Sequence, residues 1–335
     1  MTVLIIGGGG YIGSHIASEL RRCGQDTLVA DNWASGVRRL GNTVRAATVD
    51  ITAPGASHQL AALMRTERVR VVFHLAALKS VEESVRDPRR YIEVNVAGTA
   101  AVLNAMSNAA VRKLVFASSA AVYAPIATGR VTIASPIGPV NPYGVSKLEA
   151  EGLISTYTGR GIVDAVVLRF FNVAGCESPS LADLEGVSVM SQFCRAAANE
   201  GPLVVRGTDY GTADGSAVRD YIDVRDIADL HRRLAEDRAW PPGIRYSNVG
   251  RGLSVSVLEL AQRVQALAPS KPPIISSANR AGDIEQMVSS REETQLCEGW
   301  QPRYGLDDMI RATLEAQLVY ASDGATPVPA RTPEQ

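Results

Sequence analysis

Tyr143 and Lys147 stand four residues apart in Tyr143-Gly144-Val145-Ser146-Lys147. On a helix that spacing sets a phenol and an ammonium on one face. A free tyrosine, with a pKa of about 10, is a poor base at neutral pH. A neighbouring cation, Lys147 or a positively charged nicotinamide, would favour the phenolate, at roughly 1.4 kcal/mol per unit of lowering. Ser119, in Ser118-Ser119 after the apolar run Leu114–Ala117, offers a hydroxyl to share with such a base. Together the three residues suit proton abstraction from a substrate hydroxyl. A Tyr-x-x-x-Lys pair alone is as often two ordinary helix residues, so the reading rests on what surrounds it.

A glycine cluster supplies that context. Gly7-Gly8-Gly9-Gly10-Tyr11-Ile12-Gly13 follows the apolar run Val3–Ile6. It reads as G-x-x-G-x-x-G through Gly7, Gly10 and Gly13, or as G-x-G-x-x-G through Gly8, Gly10 and Gly13. In either register the glycines permit a tight turn and let a pyrophosphate approach backbone N–H groups at a helix start. Asp31 ends the next apolar run, where a carboxylate can accept hydrogen bonds from an adenosine ribose. Asn32-Trp33-Ala34-Ser35 follow with no Arg or Lys to pair with a 2′-phosphate, which favours NAD over NADP, although Arg38 and Arg39 are not far off. Asp50-Ile51 is read as the end of the following strand, facing the adenine.

These residues need a scaffold, and the chain describes one. Val3–Ile6, Thr27–Ala30, Val69–Leu75, Leu114–Ala117 and Ala165–Leu168 read as strands, rich in β-branched residues and without polar/apolar alternation, as in a sheet covered on both faces. Ile12–Cys23 and Asn95–Ala109 read as helices between them. Repeated strand–helix–strand order predicts an α/β fold with a Rossmann-type doubly wound parallel sheet. A smaller C-terminal α/β substrate-binding domain is expected to follow. The boundaries read are residues 1–175 for the NAD-binding part, with returning elements near 220–250, and 176–320 for the substrate part. Residues 178–214 look loop-rich around one helix, Val189–Ala198. Ser256-Val257-Leu258-Glu259 reads as a capping box opening a helix whose Val257, Leu260, Ala261, Val264 and Leu267 share a face. The last residues, 321–335, with Pro327, Pro329 and Pro333, read as a disordered tail.

Bulk properties exclude several classes. In 335 residues 46% are hydrophobic, enough for a large core. A net charge of −1 argues against a dedicated nucleic-acid binder. Cys23, Cys176, Cys194 and Cys297 are scattered, which suggests free thiols. There is no apolar run approaching the ~20 residues of a membrane span, and the start does not read as a signal peptide. The expectation is a cytoplasmic protein with no membrane or nucleic-acid partner.

Over about residues 1–315 the sequence resembles the extended short-chain dehydrogenase/reductase family, and most of all its UDP-glucose 4-epimerase branch. The segments that carry this are GGGGYIGSH from Gly7, ADN from Ala30, FHLAALKSVEESV from Phe73, NVAGT from Asn95, FASSAAVY from Phe116, NPYGVSK from Asn141, LRFFNVAG from Leu168 and VRDYIDVRDIAD from Val218. The resemblance implies NAD as cofactor, a UDP-sugar as substrate and a homodimer. It implies inversion of the 4-hydroxyl of a UDP-hexose through a transient 4-keto sugar. Tyr143 resembles the active-site base, Lys147 its partner on the nicotinamide ribose, and Ser119 the serine that bonds the sugar 4-hydroxyl. It further assigns Gly7, Gly10, Tyr11, Ile12, Gly13, Asp31, Asn32, Ser35, Gly36, Asp50, Ile51, Leu75, Ala76, Ala77, Lys79, Asn95, Ser118 and Phe170 to the cofactor. To the substrate it assigns Lys79, Asn172, Ser188, Val189, Val204, Arg206, Arg219, Arg280, Asp283 and Met287. Arg219 and Arg280 would face the diphosphate and Asp283 the uridine ribose. Met106, Ala109 and Val111 fit either the dimer face or the core.

Three positions depart from the family pattern. Ala121 stands where many relatives have Thr, Ser188 where a bacterial epimerase has Asn, and Met287 where a Tyr often caps the sugar pocket. They leave the sugar open: an N-acetylhexosamine, a uronic acid, a pentose or a secondary-metabolite sugar are alternatives. A 4,6-dehydratase or decarboxylase would have an acid pair just after Ser119, where this chain has Ala120-Ala121. A silent NAD-binding regulator on the same fold would often lack Tyr143 or Lys147, and both are present.

Overall fold

The computed structural model describes residues 2–34, 44–126, 129–183, 186, 188–237, 240, 242–279, 284–290, 297 and 299–322. In chain order the first half forms β1 (Thr2–Ile6), α1 (Tyr11–Arg22), β2 (Thr27–Asp31), β3 (Arg45–Thr48), α2 (Ala56–Thr66), β4 (Val69–His74), α3 (Val81–Arg86), α4 (Pro88–Tyr91), α5 (Gly98–Ala109), β5 (Lys113–Ser119), β6 (Arg130–Val131), α6 (Pro142–Gly159) and β7 (Asp164–Phe170). The second half forms β8 (Asn172–Ala174), α7 (Val189–Ala198), β9 (Leu203–Arg206), β10 (Val218–Arg219), β11 (Tyr221–Asp223), α8 (Val224–Glu236), β12 (Ile244–Val249), β13 (Val255–Ser256), α9 (Val257–Leu267), β14 (Ile274–Ser277), β15 (Gln286–Ser289) and α10 (Leu306–Ser322).

The main sheet has seven parallel strands in the order β12-β7-β5-β4-β1-β2-β3. Continuous apolar strands are explained by its two covered faces. Leu4 and Ile6 pack with Leu60, Val102, Met106 and Ile154 of α2, α5 and α6. Val3 and Ile5, offset by one residue, pack with Ile16, Leu20, Ile227 and Leu230 of α1 and α8. Truncating one of these fully buried side chains to Ala costs about 2–5 kcal/mol. The strand order reverses between β1 and β4, and the crevice outside their carboxyl ends is where such sheets bind ligands.

The second half is assembled from short pieces. A four-stranded sheet runs β13-β10-β15-β6, and β11-β8 and β14-β9 pair separately. A further core gathers Met190, Phe193, Leu260, Val264, Met309 and Ile310 of α7, α9 and α10. β12 returns to the main sheet beside β7.

Several expectations change. Strand β3 ends at Thr48, so Asp50 lies in the following turn, where its carboxylate accepts bonds from the Thr52 N–H and hydroxyl. The helix read from Asn95 starts earlier and differently: Ile92–Ala97 is a π-turn, and α5 begins at Gly98. The loop-rich region contains α7 as read, and also β9. The tail read from residue 321 is helical through Ser322 as the end of α10; the remainder lies outside the described residues. Met106 and Val111 are core residues beneath the sheet, and Ala109 packs against that core. Ser256 caps α9 by accepting the Glu259 N–H at 2.9 Å.

Candidate active site

The glycine loop is built for close backbone approach. Gly7 adopts φ +84°, and a Cβ there would stand 2.4 Å from the Ala76 nitrogen; one on Gly13 would stand 2.4 Å from the Gly7 carbonyl oxygen. The cradle thus accepts no side chain at either place. No side chain caps α1 at Gly10, which leaves the positive end of the helix facing the crevice. This is an arrangement that fits a dinucleotide's pyrophosphate. Asp31 does more than end its strand: one carboxylate oxygen accepts the Gly9 N–H at 2.8 Å and the other the Trp33 N–H at 2.8 Å. It therefore braces the loop it faces. Tyr11 donates its hydroxyl to the Gly175 carbonyl and ties α1 to the segment after β8. Burial raises its phenol well above the usual value.

Leu75, Ala76 and Ala77 cross the crevice from the end of β4, and the Leu75 and Ala76 N–H groups both donate to the Ile6 carbonyl. Asn95, in the π-turn, fixes this crossing. Its amide accepts the Leu78 N–H at 2.8 Å and donates to the Leu78 carbonyl at 3.0 Å and to Ser146 Oγ at 2.9 Å. π-turns often mark functional positions. Ile51 packs on Gly98 and lies in the core. Asn32 donates to Asp50 at 3.3 Å, so these two meet at the far edge. Phe170 is buried at the end of β7, level with Ser119.

Pro142 sits in the first turn of α6 and Asn141 caps it by accepting the Gly144 N–H at 2.9 Å. Gly144 lets that turn touch the end of β5: a Cβ would lie 2.3 Å from the Ala121 carbonyl oxygen. Tyr143 thereby meets Ser119, whose hydroxyl favours the phenolate. Ser119 also accepts the Ala121 N–H at 3.2 Å, so the backbone supports a hydroxyl that the Ala121 side chain does not. Tyr91 stands edge-on to the Tyr143 ring, with centroids 6.3 Å apart.

Burial pushes the Tyr143 phenol up, while Ser119 and the Lys79 charge work the other way. Lys79, from the loop after β4, is thus a cation acting on the phenol besides those named from the sequence. Lys147 sits one turn deeper on α6 and donates to the Ala117 carbonyl at 2.8 Å. Burial pushes its ammonium down to about 7, opposed by Glu151.

The remaining substrate-side residues are spread over the short strands. Met287 of β15 packs with Ala120, Tyr123 and Phe171, next to Ser119, and pairs in register with Arg219 of β10. Arg219 donates to the Val218 carbonyl. Asn172 begins β8, paired with Tyr221. Ser188 caps α7 ahead of Val189. Val204 and Arg206 lie on β9, apart from these; an open cavity of about 660 Å³ near them is lined by Thr208, Asp209 and Ser276 through Asn279 and not by Tyr143. Ser35, Gly36, Arg280 and Asp283 lie outside the described residues.

Residues 3–250 match the NAD dependent epimerase/dehydratase family. The chain belongs to that family. UDP-glucose 4-epimerase 4 of Oryza sativa subsp. japonica is 34% identical over 331 residues, covering 92% of this chain and 88% of the relative. A solved UDP-glucose-4-epimerase from Stenotrophomonas maltophila, with bound NAD and formylated UDP-arabinopyranose, superposes with a TM-score of 0.88 at 33% identity, covering 96% of this chain and 99% of that one. MoeE5, solved with UDP-glucuronic acid and NAD, gives a TM-score of 0.81 at 29% identity, covering 94% and 98%. As a member of the epimerase/dehydratase family the chain uses NAD and acts on nucleotide sugars, which accords with the glycine cradle and Asp31.

Two functional candidates escaped the sequence reading. Asp183, buried before α7, accepts the Ser191 hydroxyl at 3.0 Å and lies 3.6 Å from Lys79 Nζ. Ser188 donates to Ser191, so a chain of contacts joins the cap of α7 to Lys79. Nothing in the spacing between Lys79 and Asp183 signals that contact. Glu151 is the second; its position four residues after Lys147 was the available signal.

Proposed function

We propose that this chain inverts the 4-hydroxyl of a UDP-hexose of the UDP-glucose/UDP-galactose type. The carrying observation is that Tyr143, at the start of α6, meets Ser119 at the carboxyl end of β5, beside a cradle that fits a dinucleotide. NAD, when bound, supplies a reversible hydride acceptor. The chain's own residues handle the proton and the orientation. Ser119 holds the sugar 4-hydroxyl against Tyr143, which takes its proton and returns it after the 4-keto sugar has turned over. Lys79 favours the phenolate that does so. Lys147 orients the nicotinamide ribose from α6. Gly7, Gly10, Gly13 and Asp31 hold the adenosine diphosphate end. Arg219, with Asn172, Ser188 and Arg280, grips the nucleotide diphosphate, which leaves the sugar free to rotate. Ala120-Ala121, without an acid, disfavours elimination of water.

A second reading keeps the chemistry and changes the sugar. Met287 is a flexible, apolar side chain against Ala120. That favours a C4-epimerase open to other nucleotide sugars, among them N-acetylated or uronic ones. The test is incubation with UDP-galactose, UDP-N-acetylgalactosamine and UDP-galacturonic acid without added NAD, followed by chromatography of the 4-epimers. Interconversion of UDP-galactose supports the first reading, and interconversion of another sugar alone supports the second. No turnover of any of them, with NAD supplied, overturns both.

A further inference from the structure

Three consecutive residues at the end of β5 each meet one residue of α6. The Ala117 carbonyl accepts from Lys147 at 2.8 Å, Ser118 donates to Glu151 at 2.6 Å, and Ser119 acts on the Tyr143 phenol. Tyr143, Lys147 and Glu151 follow one another at single-turn spacing, so one helix face meets one strand end. The middle tie, Ser118 to Glu151, ends on a buried ion pair. The Glu151 carboxylate, 2% exposed, also accepts from Arg169 Nε at 3.0 Å and Nη2 at 2.7 Å. The Arg169 guanidinium, on β7, lies 4.9 Å from the centroids of both the Tyr123 and Tyr246 rings and donates to the Tyr123 hydroxyl at 2.9 Å.

Such a pair is a poor device for stability. Desolvating both ions costs several kcal/mol each, and apolar residues of the same volume often do as well or better. What this pair offers is negative charge where Lys147 needs it. The groups facing Lys147 are Tyr143 and Glu151 on its own helix, the Phe116 ring and Ala117 carbonyl on β5, His74 on β4, and Arg169 behind Glu151 on β7. His74 is buried and kept neutral, in part by Lys147 itself. Of these groups, Glu151 alone carries the opposite charge.

We propose that Glu151 is a positioning residue for the epimerase reaction: anchored by Arg169 and Ser118, its carboxylate is the buried countercharge of the Lys147 ammonium. This rests on the role given to Lys147 above. The chain has four lysines, Lys79, Lys113, Lys147 and Lys271, so lysine-selective ¹³Cε NMR resolves each titration. On NAD-loaded protein, Glu151→Gln lowers the Lys147 midpoint by about one pH unit or more, an expected tenfold change in its proton affinity. Glu151→Asp keeps the midpoint near the wild type. Should Glu151→Gln fail to fold with Arg169 left unpaired, Glu151→Gln/Arg169→Met removes both charges, and its midpoint falls between those of wild type and the single variant. The alkaline limb of kcat moves to lower pH with the Lys147 midpoint, at unchanged KM. An unmoved Lys147 midpoint in both Gln variants overturns the countercharge. A midpoint that moves while the kcat profile of an active enzyme stays fixed overturns the role in the reaction. Absence of turnover in the wild type leaves the NMR titration to decide the countercharge and refutes only the activity.

Discussion

Ser119, Tyr143 and Lys147 stand on β5 and α6, inside a seven-stranded sheet packed on both faces, whereas Met287, Arg219 and Asn172 stand on strands of two to four residues. The first region has one geometry because strand register and helix packing determine it together. The second is pinned locally, and its fastening is polar. Asp220, fully buried, accepts N–H bonds from Arg251, Gly252 and Ser289 and so ties β15 to β10. Proton transfer needs positions held within tenths of an ångström. Gripping a nucleotide sugar needs contacts that can differ between substrates. The division places kcat in the sheet and KM and sugar choice in the short strands.

The sharpest test removes the phenol hydroxyl. Tyr143→Phe keeps the ring against Tyr91 and loses the proton acceptor; a fall in turnover of about 10³-fold is expected, within the ~10²–10⁴ range of general base catalysis. UDP binding, followed by calorimetry, stays within twofold. Loss of binding instead would mean that the two regions are not separable. On the other side, Arg219→Leu removes a charge proposed to grip the diphosphate. KM rises roughly 10- to 100-fold, corresponding to the ~1.5–3 kcal/mol of a charged hydrogen bond, while kcat is nearly unchanged. A fall in kcat alone would put Arg219 in the chemistry and break the comparison.

Legibility followed the same line. The strands and helices of the sheet could be read because apolar runs and amphipathic stretches reflect a two-faced core. Gly7, Gly13 and Asp31 were legible because a backbone cradle permits few residue types. The short strands were not: two residues such as Val218-Arg219 have no periodicity, and their partners Ser256 and Met287 are far off in sequence. The charge of Lys79 on the phenol escaped for a related reason. Helical spacing relates Lys147 to Tyr143, but only the folded chain brings in Lys79, from the loop after β4.

The sheet also concentrates the buried titratable groups, which predicts where acid acts. His74 is pushed down to about 3 and His231 to about 4, both by burial. The unfolded chain takes up these protons below about pH 6.5 and the folded chain does not, so stability falls as pH drops from 6.5 toward 4. Asp226, pushed up to about 6, and Asp220, also raised by burial, work against this below about pH 6. His231 donates its Nδ1–H to the Ile227 carbonyl at 2.9 Å and lies between the Phe73 and Phe170 rings. Replacing it with Phe removes one of the two protonation terms, worth about 2 kcal/mol at pH 5. Thermal melts from pH 7.5 to 4.5 then show a shallower decline of Tm. An unchanged decline would mean that acid attacks the short strands first.

The smallest effect tests the sugar side alone. Met287 is 7% exposed and packs on Ala120, one residue from Ser119. Met287→Ala opens room for a larger substituent while leaving Ser119 and Tyr143 in place. The truncation also lowers stability, so absolute rates mislead. The ratio of kcat/KM for UDP-N-acetylgalactosamine to that for UDP-galactose, taken on one preparation, is independent of the folded fraction. A methylene-sized change in an apolar pocket is worth about 1–3 kcal/mol, and a rise in that ratio of roughly tenfold is expected. A constant ratio, with both rates lowered equally, would show Met287 to be packing for the Ser119 turn and would move the choice of sugar elsewhere among the short strands.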